Sequence, residues 1–434
     1  MSVFKFPENF KWGSATSAHQ VEGDNHNDWS EWEVSKLRVE SLKLKGLNPD
    51  NFISGKACDS YNRYEEDFDI VKKLNQNIHR FSIEWSRIEP EEGKFNQNEI
   101  QHYINVVNAL KERGIEPMIT LWHFTNPIWF AEKGGWLNPD SPELFRRFIK
   151  VVVSALKDQV GLWITFNEAT TVYSSFAYLK GFWPPQHKNI FEWRMANRNI
   201  VRAHTEAYKE IKKIYNNSPS SGFNKEVQPW ISKKVEPRDP DVTSHNVMVG
   251  IVESNVFVPD TKNIFTTWLR RKYKQLRNFY FLDQATPYYD FIGLNYYHMD
   301  RRTGLGQKSE VVPKQDINED MGWELCPPGI YNCLLDLKKY KKPIFITENG
   351  ISDRTDQKRK KFIKDHLYWS WKAVQDGVDV LGYLYWSLLD NFEWHHGFGP
   401  RFGLVEVDYK TFERHIRPSA YEYAKICQTN SLEL

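Results

Sequence analysis

The sequence predicts an α/β fold, a (β/α)8 TIM barrel with elaborated βα loops, on the basis of three observations. Eight short apolar runs recur along the 434 residues. Each run is followed by a longer stretch in which apolar residues recur at helical spacing, an alternation typical of parallel sheets covered by helices. The chain is also long enough, because such a barrel needs about 250 residues and leaves roughly 180 for its loops.

Most of the predicted strands are continuously apolar, as expected when helices cover both faces of a sheet. They occupy 10–16, 77–83, 115–121, 161–166, 247–252, 290–295, 343–348 and 380–386. The helical patterns lie at 60–74, 98–113, 142–158, 190–214, 262–282, 328–340, 357–376 and 418–427. The alternative is a doubly wound open sheet, but no glycine-rich phosphate motif follows any strand. We expect residues 1–434 to form one barrel domain.

Composition and charge exclude several classes of protein. Lys and Arg total 58 and Asp and Glu total 56, which gives a formal net charge of +2 and argues against a dedicated nucleic-acid binder. No stretch approaches the roughly 20 apolar residues of a membrane-spanning helix, and the first residues hold no apolar run of signal-peptide length. We therefore expect a cytoplasmic protein that binds neither nucleic acid nor membrane, with its oligomeric state open.

The cysteines support the same expectation. Their spacing lacks the C-x-x-C pattern of metal sites and suits free thiols in a reducing compartment. They are Cys58, Cys326, Cys333 and Cys427.

Polar and aromatic residues collect where the predicted strands end. The carboxyl ends of all eight strands of such a barrel meet at one face, where the chemistry is expected. Glu168 follows the fourth strand and Glu348 ends the seventh, and neither has His or Cys nearby at metal spacing. A single Glu at such a position is usually structural, so the prediction depends on their joint placement.

Paired carboxylates without a metal suggest cleavage of a glycosidic bond. One must donate a proton to a poor leaving group, so its pKa must be raised, while the other must stay ionised at the anomeric carbon. Arg80 could hold the second carboxylate charged, and a tyrosine hydroxyl could hydrogen-bond it. Aromatic side chains at the same face offer apolar surfaces to a sugar.

At these residues the sequence resembles glycoside hydrolase family 1, the β-glucosidase and β-glycosidase family. The matching stretches occur in the family's order and cover almost the whole chain. They are 6–23, 80–88, 121–124, 165–168, 290–297, 346–351, 385–394 and 401–409. The resemblance implies a retaining β-glycosidase, foremost a β-glucosidase, that forms a covalent glycosyl-enzyme and needs no cofactor or metal. Its partner would be a small β-glycoside or short oligosaccharide, and galacto, fuco and manno sugars stay open.

The resemblance also implies a role for each site residue. Glu348 would be the nucleophile, and Glu168 would be the acid and then the base. Arg80 and Tyr297 would set the charge and orientation of the nucleophile. Asn167 would bind the sugar 2-hydroxyl. The other substrate-binding residues would be Gln20, His123, Trp323, Trp386, Glu393, Trp394 and Phe402.

Glu393 narrows the substrate further. Relatives that act on 6-phosphosugars usually carry Ser here, with a Lys and a Tyr downstream for the phosphate. This chain keeps Glu393 and Trp394 and continues with Gly399-Pro400-Arg401-Phe402, so a non-phosphorylated sugar is favoured. Two alternatives stay open: a transglycosylase, which shares every catalytic residue, and a catalytically weak sugar-binding relative, against which the two glutamates argue.

Two features depart from the family pattern. Ala169 stands where the acid/base motif usually has Pro, so we expect a looser turn around Glu168. The range 215–245 is predicted to be an insertion on the bottom face of the barrel, and loops of that length are usually functional or disordered. Relatives carry a longer segment near 283–290, and we hypothesise that the insertion packs in its place.

Overall fold

Eight parallel strands close into a barrel in the computed structural model, which describes residues 2–217, 247–301, 317–318 and 320–434. Each strand pairs with its neighbours in chain order, and the last pairs with the first. Each predicted strand overlaps an observed one, and their ends differ by two residues at most. The prediction of a closed barrel is confirmed and the open sheet is excluded. The strands are β1 (Lys11–Ala15), β2 (Ile78–Ser82), β3 (Glu116–Thr120), β4 (Leu162–Asn167), β5 (Met248–Ser254), β6 (Phe291–Asn295), β7 (Ile344–Asn349) and β8 (Val380–Trp386).

A long helix follows each strand, at the eight predicted positions. These helices are Ser60–Lys73, Gln97–Glu112, Ser141–Leu156, Ile190–Asn216, Ile264–Lys274, Pro327–Leu337, Arg359–Gln375 and Pro418–Thr429. Shorter helices elaborate the loops: Ala18–Val21, Asp28–Val34, Lys36–Leu44, Trp85–Ile88, Ile128–Glu132 and Tyr280–Ala285. Among the described residues, three antiparallel pairs lie outside the barrel: Val3–Lys5 with Ser431–Glu433, Ile317–Asn318 with Trp323–Glu324, and Val405–Val407 with Arg414–Ile416.

The helix Ile190–Asn216 shows how sequence produces these elements. The side chain of Asn189 accepts a hydrogen bond from the N–H of Phe191 and so caps the first turn. The buried face recurs every three or four residues and carries small side chains, which allow close packing on the sheet. It includes Ala196, Ile200, Ala203, Ala207 and Ile211.

Large side chains fill the inside of the barrel. Phe291 and Phe345 meet edge to face, with ring centroids 5.4 Å apart and planes at 78°. Gly250 makes room for them, because a Cβ at this position would lie 2.5 Å from the Phe291 ring. The interior is therefore a packed core, and any substrate must bind at an end of the barrel. The core residues are Ile78, Met118, Leu162, Ile164, Met248, Val252, Phe291, Phe345, Leu381 and Leu384.

Almost all of the predicted insertion, 218–245, lies outside the described residues, and so does its hypothesised packing near 283–290. The preceding helix extends into the first residues assigned to it and ends at Asn216. Tyr215 belongs to the core, since its hydroxyl accepts a hydrogen bond from Nε1 of Trp163 at 3.0 Å.

All four cysteines are free, as the sequence predicted, and the structure shows that all four are buried. No helix within the described ranges is both long enough and apolar enough to cross a membrane.

We expect Phe345→Ala to lower the free energy of unfolding by about 3–5 kcal/mol, because it removes a buried ring and leaves a cavity. Phe265→Ala is the matched control, since this ring is 62% exposed, and it should change stability by less than about 0.5 kcal/mol. Chemical denaturation followed by tryptophan fluorescence measures both variants. Equal destabilisation by the two substitutions would contradict a packed barrel interior.

Candidate active site

The carboxyl ends of the strands bring the predicted side chains together. Arg80 lies in β2, Asn167 ends β4, Glu168 follows it, and Glu348 lies near the end of β7. Of the twelve predicted residues, Trp323 and Glu393 are half-buried. The others are buried: Gln20, Arg80, His123, Asn167, Glu168, Tyr297, Glu348, Trp386, Trp394 and Phe402.

Glu348 is held at both oxygens. Nη1 of Arg80 donates to Oε1 at 2.5 Å, and the hydroxyl of Tyr297 donates to Oε2 at 2.6 Å. Burial and the charge of Glu348 raise the pKa of Tyr297 well above its ordinary value, so the hydroxyl keeps its proton. The contacts leave Glu348 one fixed orientation beside a permanent cation.

Glu168 sits at a turn between β4 and a short π-helical segment, Ala169–Tyr173. Its backbone lies in the left-handed region, with φ 45° and ψ 32°, a conformation that costs a residue with a Cβ about 1–2 kcal/mol. Its N–H donates to the carbonyl of Val252 at 2.7 Å, and its carbonyl accepts from the N–H of Val172 at 3.0 Å. These bonds tie the turn to β5 and to its own helix in the absence of the family's proline.

The carboxyl of Glu168 has a different environment from that of Glu348. Burial raises its pKa to about 8, and the negative charge of Glu348 adds to the increase. Its hydrogen-bond donor is the amide of Asn295, which reaches Oε1 at 2.7 Å. One carboxyl is thus paired with a cation while the other favours its proton, which is the division expected between a nucleophile and an acid.

Asn167 shares a hydrogen-bond partner with each of these two carboxyls, Arg80 with Glu348 and Asn295 with Glu168. Its Oδ1 accepts hydrogen bonds from Nη2 of Arg80 at 2.6 Å and from Asn295 at 3.2 Å. Its amide nitrogen lies 3.1 Å from Nε2 of His123. Burial and the charge of Arg80 lower the pKa of His123 well below its ordinary value, so the ring is neutral and Nε2 accepts. The ring proton is then on Nδ1, which has no hydrogen-bond partner among the described residues and is available to a ligand.

Glu393 is a third carboxyl at the same face, and the residue is half-buried. Burial raises its pKa to about 8, and the charge of Glu348 adds to the increase. Its Oε2 has no hydrogen-bond partner within the described part of the chain. Burying a polar atom without a partner costs stability, a cost that a bound hydroxyl group would remove.

Gln20 uses its amide within the protein. Its nitrogen donates to Oδ1 of Asn391 at 3.0 Å and to the carbonyl of Phe392 at 2.8 Å, and its oxygen accepts from Ser17 at 2.7 Å. Both amide hydrogens are therefore engaged. In this structure Gln20 braces the loop that carries Glu393.

Aromatic rings are packed together at the same face. His123 stacks on Trp394 at 5.9 Å and on Trp386 at 6.2 Å between ring centroids. Trp323 packs 5.2 Å from Tyr297 and 6.2 Å from Phe402. Trp323 is half-buried, so part of this residue is accessible to solvent.

Two residues that contact this site were not assigned a role from the sequence. Asn295 ends β6 and pairs in register with Glu348, and its position at a strand end was the available signal. Glu253 lies in β5 behind Glu168, and the signal was a lone acidic residue within an apolar strand. Within the described ranges no group of three or more His, Cys, Asp and Glu side chains could hold a metal ion.

Comparison with known proteins establishes the family. The family model for glycosyl hydrolase family 1 matches residues 3–432. The chain belongs to glycosyl hydrolase family 1. It is a glycoside hydrolase, and the family predicted from its motifs is confirmed.

Individual relatives in this family align over the full length of the chain. Beta-glucosidase A of Thermotoga maritima is 34% identical over 461 aligned positions, which cover 100% of both chains. The structure of a beta-glycosidase from Pyrococcus horikoshii is 36% identical, with a TM-score of 0.82, covering 100% of this chain and 97% of that one. The structure of a beta-glucosidase from Thermotoga maritima in complex with deoxynojirimycin is 30% identical, with a TM-score of 0.81, covering 99% and 100%.

We expect Glu348→Gln to lower the pKa of Glu168 below about 8, because removing a neighbouring negative charge favours the ionised carboxylate. The pKa should stay above its ordinary value, since burial is the larger cause of the increase. Carbon-13 NMR of glutamate-labelled protein measures the titration. Glu253 is an internal reference, because burial raises its pKa to about 7 and Glu348 is not among the main causes. A Glu168 pKa that stays the same or rises would contradict the coupling.

Proposed function

We propose that this protein is a retaining β-glycosidase that hydrolyses β-glucosides in two steps. In the first step Glu348 attacks the anomeric carbon and the bond to the leaving oxygen breaks, while Glu168 gives that oxygen its proton. In the second step the ionised Glu168 takes a proton from water, whose oxygen attacks the same carbon and releases Glu348. Both displacements invert the carbon, so the configuration is retained.

The proposal depends most on the unequal environments of the two carboxyls. Glu348 has Arg80 and Tyr297 on its oxygens at 2.5 and 2.6 Å, which keep it oriented for attack. Glu168 has a pKa raised to about 8 by burial, so it holds a proton at neutral pH. An acid of this kind works best when its pKa lies near the working pH.

The polar atoms left without partners support the sugar-binding roles. Nδ1 of His123 and Oε2 of Glu393 are buried and free of partners in the described ranges, so both can bind sugar hydroxyls. Asn167 is held beside both carboxyls, where the hydroxyl next to the anomeric carbon would lie. Trp386 and Trp394 offer apolar faces to the ring, and half-buried Trp323 suits the leaving group.

Charge supports a non-phosphorylated sugar. Glu393 is a carboxyl in the proposed sugar site, and a phosphate dianion there would meet the negative charge of Glu348 at close range. Similarity to a beta-glucosidase and a beta-glycosidase supports glucosides first, while galacto, fuco and manno sugars stay open. A panel of aryl β-glycosides and cellobiose, compared by kcat/KM, ranks them.

We also propose that residues 1–434 form one catalytic domain. The barrel strands that support it run from Lys11 to Trp386.

The four free, buried cysteines support a reducing compartment such as the cytoplasm.

We expect Glu348→Ala to reduce hydrolysis of a nitrophenyl β-glucoside by about 10⁴-fold or more, since no other group can form the covalent intermediate. Glu168→Ala should lose the acid and the base but keep the nucleophile. Added azide, which needs no base, should therefore restore part of its rate and give a β-glucosyl azide. Product analysis by NMR and steady-state rates check both variants.

Glu210→Ala is the control, because this buried glutamate pairs with Arg146 on the helices outside the barrel. It should keep wild-type turnover. Wild-type rates in both active-site variants, or an α-configured azide, would contradict the assignment. Adding an alcohol as a competing acceptor separates hydrolysis from transglycosylation in the same assay.

A further inference from the structure

The last residues of β5 hold the turn that carries Glu168. The carbonyl of Val252 accepts the N–H of Glu168 at 2.7 Å, and the N–H of Ser254 donates to the hydroxyl of Thr171 at 3.2 Å. Between these two residues, Glu253 places a carboxyl that is 2% exposed. A carboxyl buried this deeply is costly unless it is hydrogen-bonded, so its partners reveal what it does.

The hydrogen-bond donors to Glu253 lie in the residues that follow Glu168. Its Oε1 accepts from the N–H of Thr170 at 3.2 Å and from the hydroxyl of Thr170 at 3.1 Å. Its Oε2 accepts from the N–H of Thr171 at 3.1 Å. Backbone N–H groups in a first helical turn have no partner within the helix, and here the carboxylate supplies one for two of them.

Glu168 depends on outside support of this kind. Its left-handed backbone conformation, φ 45°, is unfavourable for a residue with a Cβ, and Ala169 lacks the fixed φ that a proline would give the next position. The three hydrogen bonds to Glu253 restrict the two residues beyond Ala169. The direction of the Glu168 side chain follows from that turn.

We propose that Glu253 is a positioning residue for the proton-transfer steps: it fixes the turn that carries Glu168 and places a negative charge behind it. The inference rests on the proposed function, in which Glu168 is the acid and base. Glu253 itself takes no part in bond making, because its contacts are with Thr170 and Thr171 and not with the reacting carboxyl.

The charges around Glu168 set the sign of the expected pH effect. Glu348 and Glu253 raise its pKa, Arg277 lowers it, and the hydrogen bond from Asn295 lowers it. The hydroxyl of Tyr297 also faces it and stays protonated. Burial raises the pKa of Glu253 to about 7, opposed by the bonds from Thr171 and Thr170 and by Arg277. Above that pH the side chain is mostly ionised, so removing it favours an ionised Glu168.

Glu253→Gln tests both parts of the proposal, because it removes the charge and sets an amide NH2 against a backbone N–H. We expect kcat/KM for cellobiose, whose leaving group needs a proton, to fall about 10- to 100-fold. For a dinitrophenyl β-glucoside, whose leaving group needs no proton, kcat/KM should fall less than about threefold. The alkaline limb of kcat/KM should move to lower pH, since the acid loses its proton earlier. Glu253→Asp keeps the charge and should keep the limb near its wild-type position.

The control is Glu210→Gln, the same substitution at a buried carboxyl that pairs with Arg146 at 2.6 Å on the outer helices. It should change neither the ratio of kcat/KM for cellobiose to kcat/KM for the dinitrophenyl β-glucoside nor the position of the alkaline limb of kcat/KM. If Glu253→Gln does not fold, Thr170→Val is the second variant, because it removes the hydroxyl that donates to Glu253. It should lower kcat/KM for cellobiose selectively, by a smaller factor than Glu253→Gln.

The role of Glu253 would be overturned if Glu253→Gln lowered kcat/KM equally for both substrates, or if its substrate ratio and pH profile matched those of the control. Thr170→Val is judged by the same criteria. Glu168→Ala, measured in parallel, keeps the two claims apart. If that variant also lacks a selective loss for cellobiose, the proposed function itself fails.

Discussion

Arg80 connects the carboxyl ends of four strands through one guanidinium. From β2 it donates to Thr120 of β3 at 3.0 Å, to Asn167 of β4 at 2.6 Å and to Glu348 of β7 at 2.5 Å. Removing a cation and a carboxylate from water is expensive, and the cost is recovered only with good geometry and further hydrogen bonds. These contacts can form together only if the sheet closes, because β2 and β7 are not neighbours and are brought near each other by the closed barrel. The ion pair therefore makes the reacting site a consequence of the closed fold.

The same ion pair gives Glu348 and Glu168, which have identical side chains, different electrostatic environments. With its cation and tyrosine, Glu348 is oriented as a carboxylate, and its charge then acts on the carboxyls around it. It adds to the effect of burial in raising the pKa values of Glu168 and Glu393. One buried anion thus helps to keep a proton on its neighbour, so two side chains of the same type differ in their affinity for a proton. The packed barrel core below and the aromatic rings at the sides limit the access of water, which would weaken these interactions.

The sequence predicted the strands and both glutamates because barrel topology converts linear order into proximity. Once a residue is placed at the end of a parallel strand, the fold decides which face it shares. The roles of Asn295 and Glu253 were not predicted, because the local sequence of a strand residue does not identify its cross-strand partner. The left-handed backbone conformation of Glu168 was not predicted, because a non-glycine residue rarely adopts it. The same holds for the amide hydrogens of Gln20, which are engaged by the loop of Asn391 and Phe392, a long-range contact that a linear motif does not encode.

The central claim is that Glu348 forms a covalent bond to the sugar. A 2-deoxy-2-fluoro-β-glucoside with a dinitrophenyl leaving group tests it most directly, because the fluorine slows breakdown of the intermediate while the good leaving group allows it to form. Peptide mass spectrometry after inactivation should find one fluoroglucosyl group on the peptide that contains Glu348, and none in the Glu348→Gln variant. Turnover without any adduct, or an adduct on Glu168 or Glu393, would contradict the account.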